Sequence, residues 1–105
     1  MREIRFHNRV ERYFKRMPKN IVLKVMEELE EVAMLDDPLS HRNVKKLAGT
    51  QQVWYRLRVG QYRAIFQLRE DGEAEIVYVD YVGPRGDAYK QKALHARLFY
   101  LAAYC

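Results

Sequence analysis

The sequence predicts a small α+β protein: an antiparallel sheet with an N-terminal helical hairpin packed on one face, in the order β-α-α-β-β-β followed by a further C-terminal helix. Three observations predict this. Residues 8–35 carry two apolar stripes at helical spacing. From Val53 the hydrophobic period changes to two. Glycine-containing turns then cut the alternating stretch into three segments. With 105 residues the chain is expected to form a single domain over 1–105.

Ile4 and Phe6 alternate with Glu3, Arg5 and His7, a short strand pattern. Asn8 offers a helix N-cap, and Val10, Tyr13, Phe14 and Met17 form the first stripe. Pro18 stops that helix or opens the next. Val22, Val25, Met26, Leu29, Val32 and Ala33 form the second stripe, which runs to about Leu35. Glu27, Glu28, Glu30 and Glu31 take the remaining circumference of that helix as a solvated outer face. Asp36-Asp37-Pro38-Leu39-Ser40 is a loop. Residues 41–49 are too short to classify and are expected to be a helical turn or an extended linker.

In the first alternating segment Val53, Tyr55, Leu57 and Val59 oppose Trp54, Arg56, Arg58 and Gly60. In the second, Tyr62, Ala64, Phe66 and Leu68 oppose Arg63, Ile65, Gln67 and Arg69; in the third, Glu75, Val77, Val79 and Tyr81 oppose Ile76, Tyr78, Asp80 and Val82. Leu94, Leu98, Leu101 and Ala102 return to helical spacing, so residues 94–105 are expected to be a C-terminal tail or helix.

Charge narrows the function. The formal net charge is +5 and the pI about 9.4. Residues 38–69 hold seven basic side chains and no acid, so those cations must find distant carboxylates or a polyanion. The acidic residues concentrate in 21–37 and 70–80. One cysteine, Cys105, excludes an internal disulfide framework and a cysteine-based zinc site. His7, His41 and His95 have no companions at metal-ligand spacing, so neither metal nor cofactor is expected. The longest uncharged apolar run, Leu98–Cys105, falls far short of the ~20 residues that span a bilayer, and the N-terminus shows no apolar signal region. No membrane association is expected, and a cytoplasmic location is the default.

The candidate site follows from hairpin geometry. Val59-Gly60-Gln61-Tyr62 fits a two-residue loop with glycine first, the type II′ signal. That register pairs Val59 with Tyr62, Arg58 with Arg63, Leu57 with Ala64 and Arg56 with Ile65. One face is then apolar and takes the helices. The other carries Arg56, Arg58, Arg63 and Arg69 with Trp54 and Ile65. Two like charges directly opposite cost roughly 0.2–1 kcal/mol, which points to an anion site unless Asp80 or Glu75 on the next strand neutralises them. Arg85 follows in a Gly-Pro-Arg-Gly turn, with Tyr89 four residues on. Arginine binds phosphate bidentately and tyrosine can stack or share its phenol proton, so the set suits a phosphodiester better than a carboxylate. Trp54 either stacks a base or covers apolar surface at the sheet rim.

Leu47-Ala48-Gly49, Val53-Trp54-Tyr55-Arg56-Leu57-Arg58-Val59-Gly60-Gln61-Tyr62-Arg63-Ala64-Ile65-Phe66 and Val82-Gly83-Pro84-Arg85-Gly86-Asp87-Ala88-Tyr89 together resemble the RelE/ParE superfamily of type II toxins, its RelE-like branch in particular. The resemblance spans about residues 2–90 and implies a microbial RNase-like fold, with 1–93 family-like. It implies a metal-independent endoribonuclease that cuts mRNA in the ribosomal A site by attack of the substrate's 2′-OH, leaving a 2′,3′-cyclic phosphate. By motif, Arg63 corresponds to the arginine on the scissile phosphate, Arg85 to the arginine near the leaving 5′-oxygen, and Tyr89 to the tyrosine that orients the nucleotide. Arg56 and Arg58 fall at positions often occupied by lysine, and Lys45 and Lys46 would touch RNA backbone. An arginine cannot lose its proton in a protein, so Arg58 is a poor general base; proton transfer falls to Tyr89, water or a histidine such as His41. The resemblance further implies a cognate acidic antitoxin, a toxin–antitoxin hetero-oligomer, and the ribosome with its mRNA as target. A ParE-like inhibitor of DNA gyrase on the same fold is the alternative.

Overall fold

The computed structural model describes residues 1–47 and 53–84. They form β1 (Glu3–Phe6), α1 (Asn8–Lys15), α2 (Lys19–Met34), a single 3-10 turn (Pro38–Ser40), β2 (Val44–Leu47), β3 (Trp54–Val59), β4 (Tyr62–Asp71) and β5 (Ala74–Pro84). The five strands make one sheet in the order β1-β5-β4-β3-β2. Two expectations are corrected. The sheet is mixed, because β1 runs parallel to β5 (Glu3 opposite Ile76, Phe6 opposite Val79) while the other neighbours are antiparallel. Within the stretch too short to classify, Val44–Leu47 is a strand paired with β3.

The helical hairpin forms where the stripes place it. His7, not Asn8, caps α1: its ring accepts the Arg9 backbone N–H at 3.2 Å. Pro18 supplies the cap of α2, and its carbonyl accepts from the N–H groups of Ile21 and Val22. At the other end of α2, Arg2 donates to the carbonyls of Leu35 (2.6 Å) and Asp36 (3.2 Å), a cation on carbonyls the helix leaves open. Val10, Val25, Leu29, Val32 and Ala33 from the helices close on Leu57, Val59, Ala64, Phe66, Val77, Val79 and Val82 from the sheet. Leu29, Leu57 and Phe66 expose nothing, and each such side chain contributes about 1.5–3 kcal/mol by burial.

The β3–β4 hairpin has the register its turn dictates. Val59 pairs with Tyr62, Arg58 with Arg63, Leu57 with Ala64 and Arg56 with Ile65. Gly60 sits at φ 58 and Gln61 at negative φ, the signature of a type II′ turn. β5 departs from strict alternation. Opposite Ile65 and Phe66 the register shifts, so that Phe66 pairs with Val79, Ile65 with Tyr81, and Asp80 is extra. This bulge reverses the faces: Val77 and Val79 point to the helices before it, and Val82 does so after it. β5 also runs on through Gly83 to Pro84 instead of turning at Gly83. Beyond Val79 it has no β1 partner, so the proline's missing N–H costs no ladder bond there. Among the described residues no helix is long and apolar enough to cross a membrane. The expected helix over 94–105 lies outside the described residues.

Candidate functional site

The face away from the helices carries the basic residues. Across β2, β3 and β4 the pairings line up Lys45 with Arg56 and Ile65, and, at the next rung on the same face two residues along, Arg58 with Arg63. The Asn43 carbonyl accepts the Arg58 backbone N–H at 3.0 Å, so the loop before β2 borders that second rung. Alternation thus gathers Lys45, Arg56, Arg58 and Arg63 on adjacent rungs of one face. Lys46 does not join them. It pairs with Tyr55, whose side chain packs toward the helices, so its own side chain leaves the sheet on the opposite face. Arg85 and Tyr89 lie outside the described residues.

These cations differ in environment. Arg58 and Lys45 are exposed, and among the described residues no carboxylate forms an ion pair with Arg58. Arg63 is only 5% exposed, and its Nη1 donates to the carbonyls of Gly60 and Tyr62, both at 3.1 Å. The hairpin turn therefore holds the head of the arginine that faces Arg58. Arg56 is also buried. Trp54, paired with Leu47, is buried too, so its ring offers little surface for stacking a base.

The carboxylates considered as neutralisers are engaged elsewhere. Glu75 ion-pairs with Arg2 at 3.6 Å. Asp80 is buried at the bulge, and its carboxyl is pushed above the usual carboxylate range by that burial, with the charges of Arg69 and Arg9 pulling the other way. Arg9 is itself buried, with its Nε donating to the His7 ring at 3.0 Å. Sequence reasoning missed this group because Arg9, Arg69 and Asp80 sit on three elements. The available signal was a charged residue, Asp80, inside the otherwise uncharged run Ile76–Pro84.

His41 is not on the basic face. Its Nε2 lies 3.0 Å from Glu28 and 3.3 Å from Glu31, beside α2. The fold thus supplies companions that the spacing along the chain hides, and the three donor atoms fall within 4.8 Å of one another. The Nδ1 atom accepts the Asn43 backbone N–H at 3.1 Å, so the ring proton sits on Nε2 and is given to the glutamates. A metal would need that same Nε2 lone pair. The cluster acts as a latch between α2 and the loop before β2, and His41 is removed from the candidates for proton transfer at the basic face.

A helical hairpin on one side of a five-stranded mixed sheet is a fold this chain shares with chains of solved toxin–antitoxin complexes. The RelE–RelB complex from Pyrococcus horikoshii OT3 contains a chain that superposes with a TM-score of 0.63 at 24% identity, covering 81% of this chain and 96% of that one. The RelBE2 complex from Mycobacterium tuberculosis gives 0.52 at 23% identity, covering 79% and 96%. The RelB–RelE complex from Methanococcus jannaschii gives 0.52 at 24% identity, covering 82% and 95%. A model of the ParE toxin of type II toxin-antitoxin systems, parDE, matches residues 4–89, and the chain belongs to that family. No curated protein matches it in sequence.

Proposed function

We propose that this toxin is a ribosome-dependent, metal-independent endoribonuclease that cuts mRNA in the A site. The observation that carries the reading is the Arg58–Arg63 pair: two arginines in direct cross-strand register on the face away from the helices, with Lys45 and Arg56 two residues along on the same face. Such a pairing is unfavourable by itself and becomes favourable around a phosphate. In the reaction the 2′-oxygen attacks the adjacent phosphorus, the P–O5′ bond breaks, and the fragments carry a 2′,3′-cyclic phosphate and a 5′-hydroxyl. The 2′-OH proton leaves to water or to the phenolate form of Tyr89, and the 5′-oxygen takes one up. Arg63 and Arg58 hold the phosphorane oxygens, Arg85 supports the departing oxygen, and Lys45 and Arg56 bind flanking backbone. Arginines cannot serve as the base, so the rate comes from positioning and charge stabilisation.

The partner we assign is an acidic antitoxin, partly disordered when free, that complements the +5 charge and folds on binding into a hetero-oligomer. The RelE–RelB complexes above support this assignment. The second reading is inhibition of DNA gyrase, and the match to the ParE toxin model favours it. One experiment separates the two. Purified protein is added to a translation reaction with a defined mRNA, and in parallel to a gyrase supercoiling assay. The nuclease reading expects cuts within A-site codons that fall ~10²–10³-fold in Arg63→Ala protein. Intact mRNA together with blocked supercoiling would overturn it.

A further inference from the structure

We propose that Tyr81 is a positioning residue for Arg63, acting through the bare backbone of Gly83; the inference rests on Arg63 serving the nuclease reaction. Gly83 is the cross-strand partner of Arg63. Opposite residues of an antiparallel pair place their Cβ atoms ~4.5–5.5 Å apart, so a side chain at position 83 would be the lateral neighbour of the Arg63 stem. Glycine provides none, and the space is taken by the tip of Tyr81. A Cβ built on Gly83 would lie 2.6 Å from the Tyr81 Oη, 3.0 Å from its Cζ and 3.6 Å from its Cε1. This is the close approach that only glycine permits.

The bulge is what brings Tyr81 there. In an unbroken strand Tyr81 would follow Val77 and Val79 toward the helices. The extra residue, Asp80, turns it to the face of Gly83 and Arg63. Once there, the ring is held on several sides. Tyr13 of α1 meets it edge-on, with centroids 5.0 Å apart and planes at 65°. Its Oη reaches the Pro84 carbonyl in a long contact of 3.4 Å, and the whole residue is only 1% exposed. Arg63 thus has its head taken by the turn carbonyls of Gly60 and Tyr62, while the Tyr81 tip lies against Gly83, the residue opposite its stem. A guanidinium so held arrives at a phosphate already oriented, where a displacement of about 1 Å costs on the order of 10² in rate.

The test uses the full chain and two readouts. The first is the Arg63 Nε–Hε signal in proton–nitrogen spectra, assigned by its loss in Arg63→Lys. The second is kcat and KM for cleavage in the translation reaction. Gly83→Ala is expected to shift the Arg63 signal, speed its exchange with water and lower kcat by about 10²-fold with KM unchanged. Tyr81→Phe removes the atom nearest the new methyl, so Gly83→Ala with Tyr81→Phe should recover part of both readouts. If Gly83→Ala does not fold, Tyr81→Leu, which is too short to reach residue 83, should move the same signal. An Arg63 signal indifferent to Gly83→Ala or to Tyr81→Leu overturns the proposal, as does a double variant no better than the single one. Should the signal respond as expected in a protein that cuts no mRNA, the positioning stands and the nuclease reading falls.

Discussion

Consider Arg58→Gln, which removes the charge of one of the two arginines paired directly across β3 and β4. Arg63 is held by backbone carbonyls of its own turn, so it cannot swing away from its neighbour without giving up those bonds. Arg58 is exposed and has no ion-pair partner among the described residues. The repulsion is therefore uncompensated on one side, and for like charges in this position it amounts to roughly 0.2–1 kcal/mol. A domain of this size shifts its Tm by about 4–8 °C per kcal/mol, so the variant should melt about 1–8 °C higher. The gain is electrostatic and should shrink in ~1 M salt, where the screening length falls to about 3 Å. Affinity for a short oligoribonucleotide should weaken at the same time. Its salt dependence should fall by about 0.7 log units per log unit of salt, the share of the one phosphate that Arg58 neutralises. Thermal melts at low and high salt, beside RNA-binding isotherms, check both halves. Destabilisation by Arg58→Gln, or a gain indifferent to salt, would refute the reasoning, because either result means Arg58 contributes a favourable interaction to the free protein.

Asp80→Asn addresses the buried carboxyl. Its folded-state pKa lies above the unfolded value, so the native state holds the proton more tightly; that stabilisation is complete below the ordinary aspartate range and is lost as pH rises through the folded value. The variant should be more stable than the parent at neutral pH and lose that advantage in acid, as read by urea unfolding across pH; a pH-independent difference would show that the carboxyl is not the cause. Gly60→Ala should cost about 1–3 kcal/mol from its positive φ alone, since nothing lies within 4 Å of the added methyl, and chemical denaturation measures it. His41→Ala should cost roughly 1–3 kcal/mol by removing the Nε2 donor from the half-buried Glu28, which keeps its ion pair with Lys24 at 3.5 Å, and hydrogen exchange should rise in the loop before β2. An unchanged exchange pattern there would argue against the latch.

Local chemistry wrote some of this fold openly. The β3–β4 hairpin was legible because a glycine-first loop and two alternating strands fix the register together, and with it the opposition of Arg58 and Arg63. The helical stripes were legible because burial of one side demands a 3.6-residue period. Val44–Leu47 was not, since four residues with two adjacent lysines hold too few repeats to declare a period.

What the chain by itself determined is therefore the nature of each element and the identity of the basic residues, because both depend on neighbours within a few positions. Only the tertiary structure decided which residues meet. The parallel docking of β1 on β5, the separation of Lys46 from Lys45, the latch of His41 on Glu28 and the burial of Asp80 within the fields of Arg9 and Arg69 all depend on how distant segments come together. The bulge at Asp80 is the clearest case. One extra residue, invisible in the alternation of β5, reverses every side chain beyond it, because a strand's faces repeat every two residues and an inserted one exchanges them.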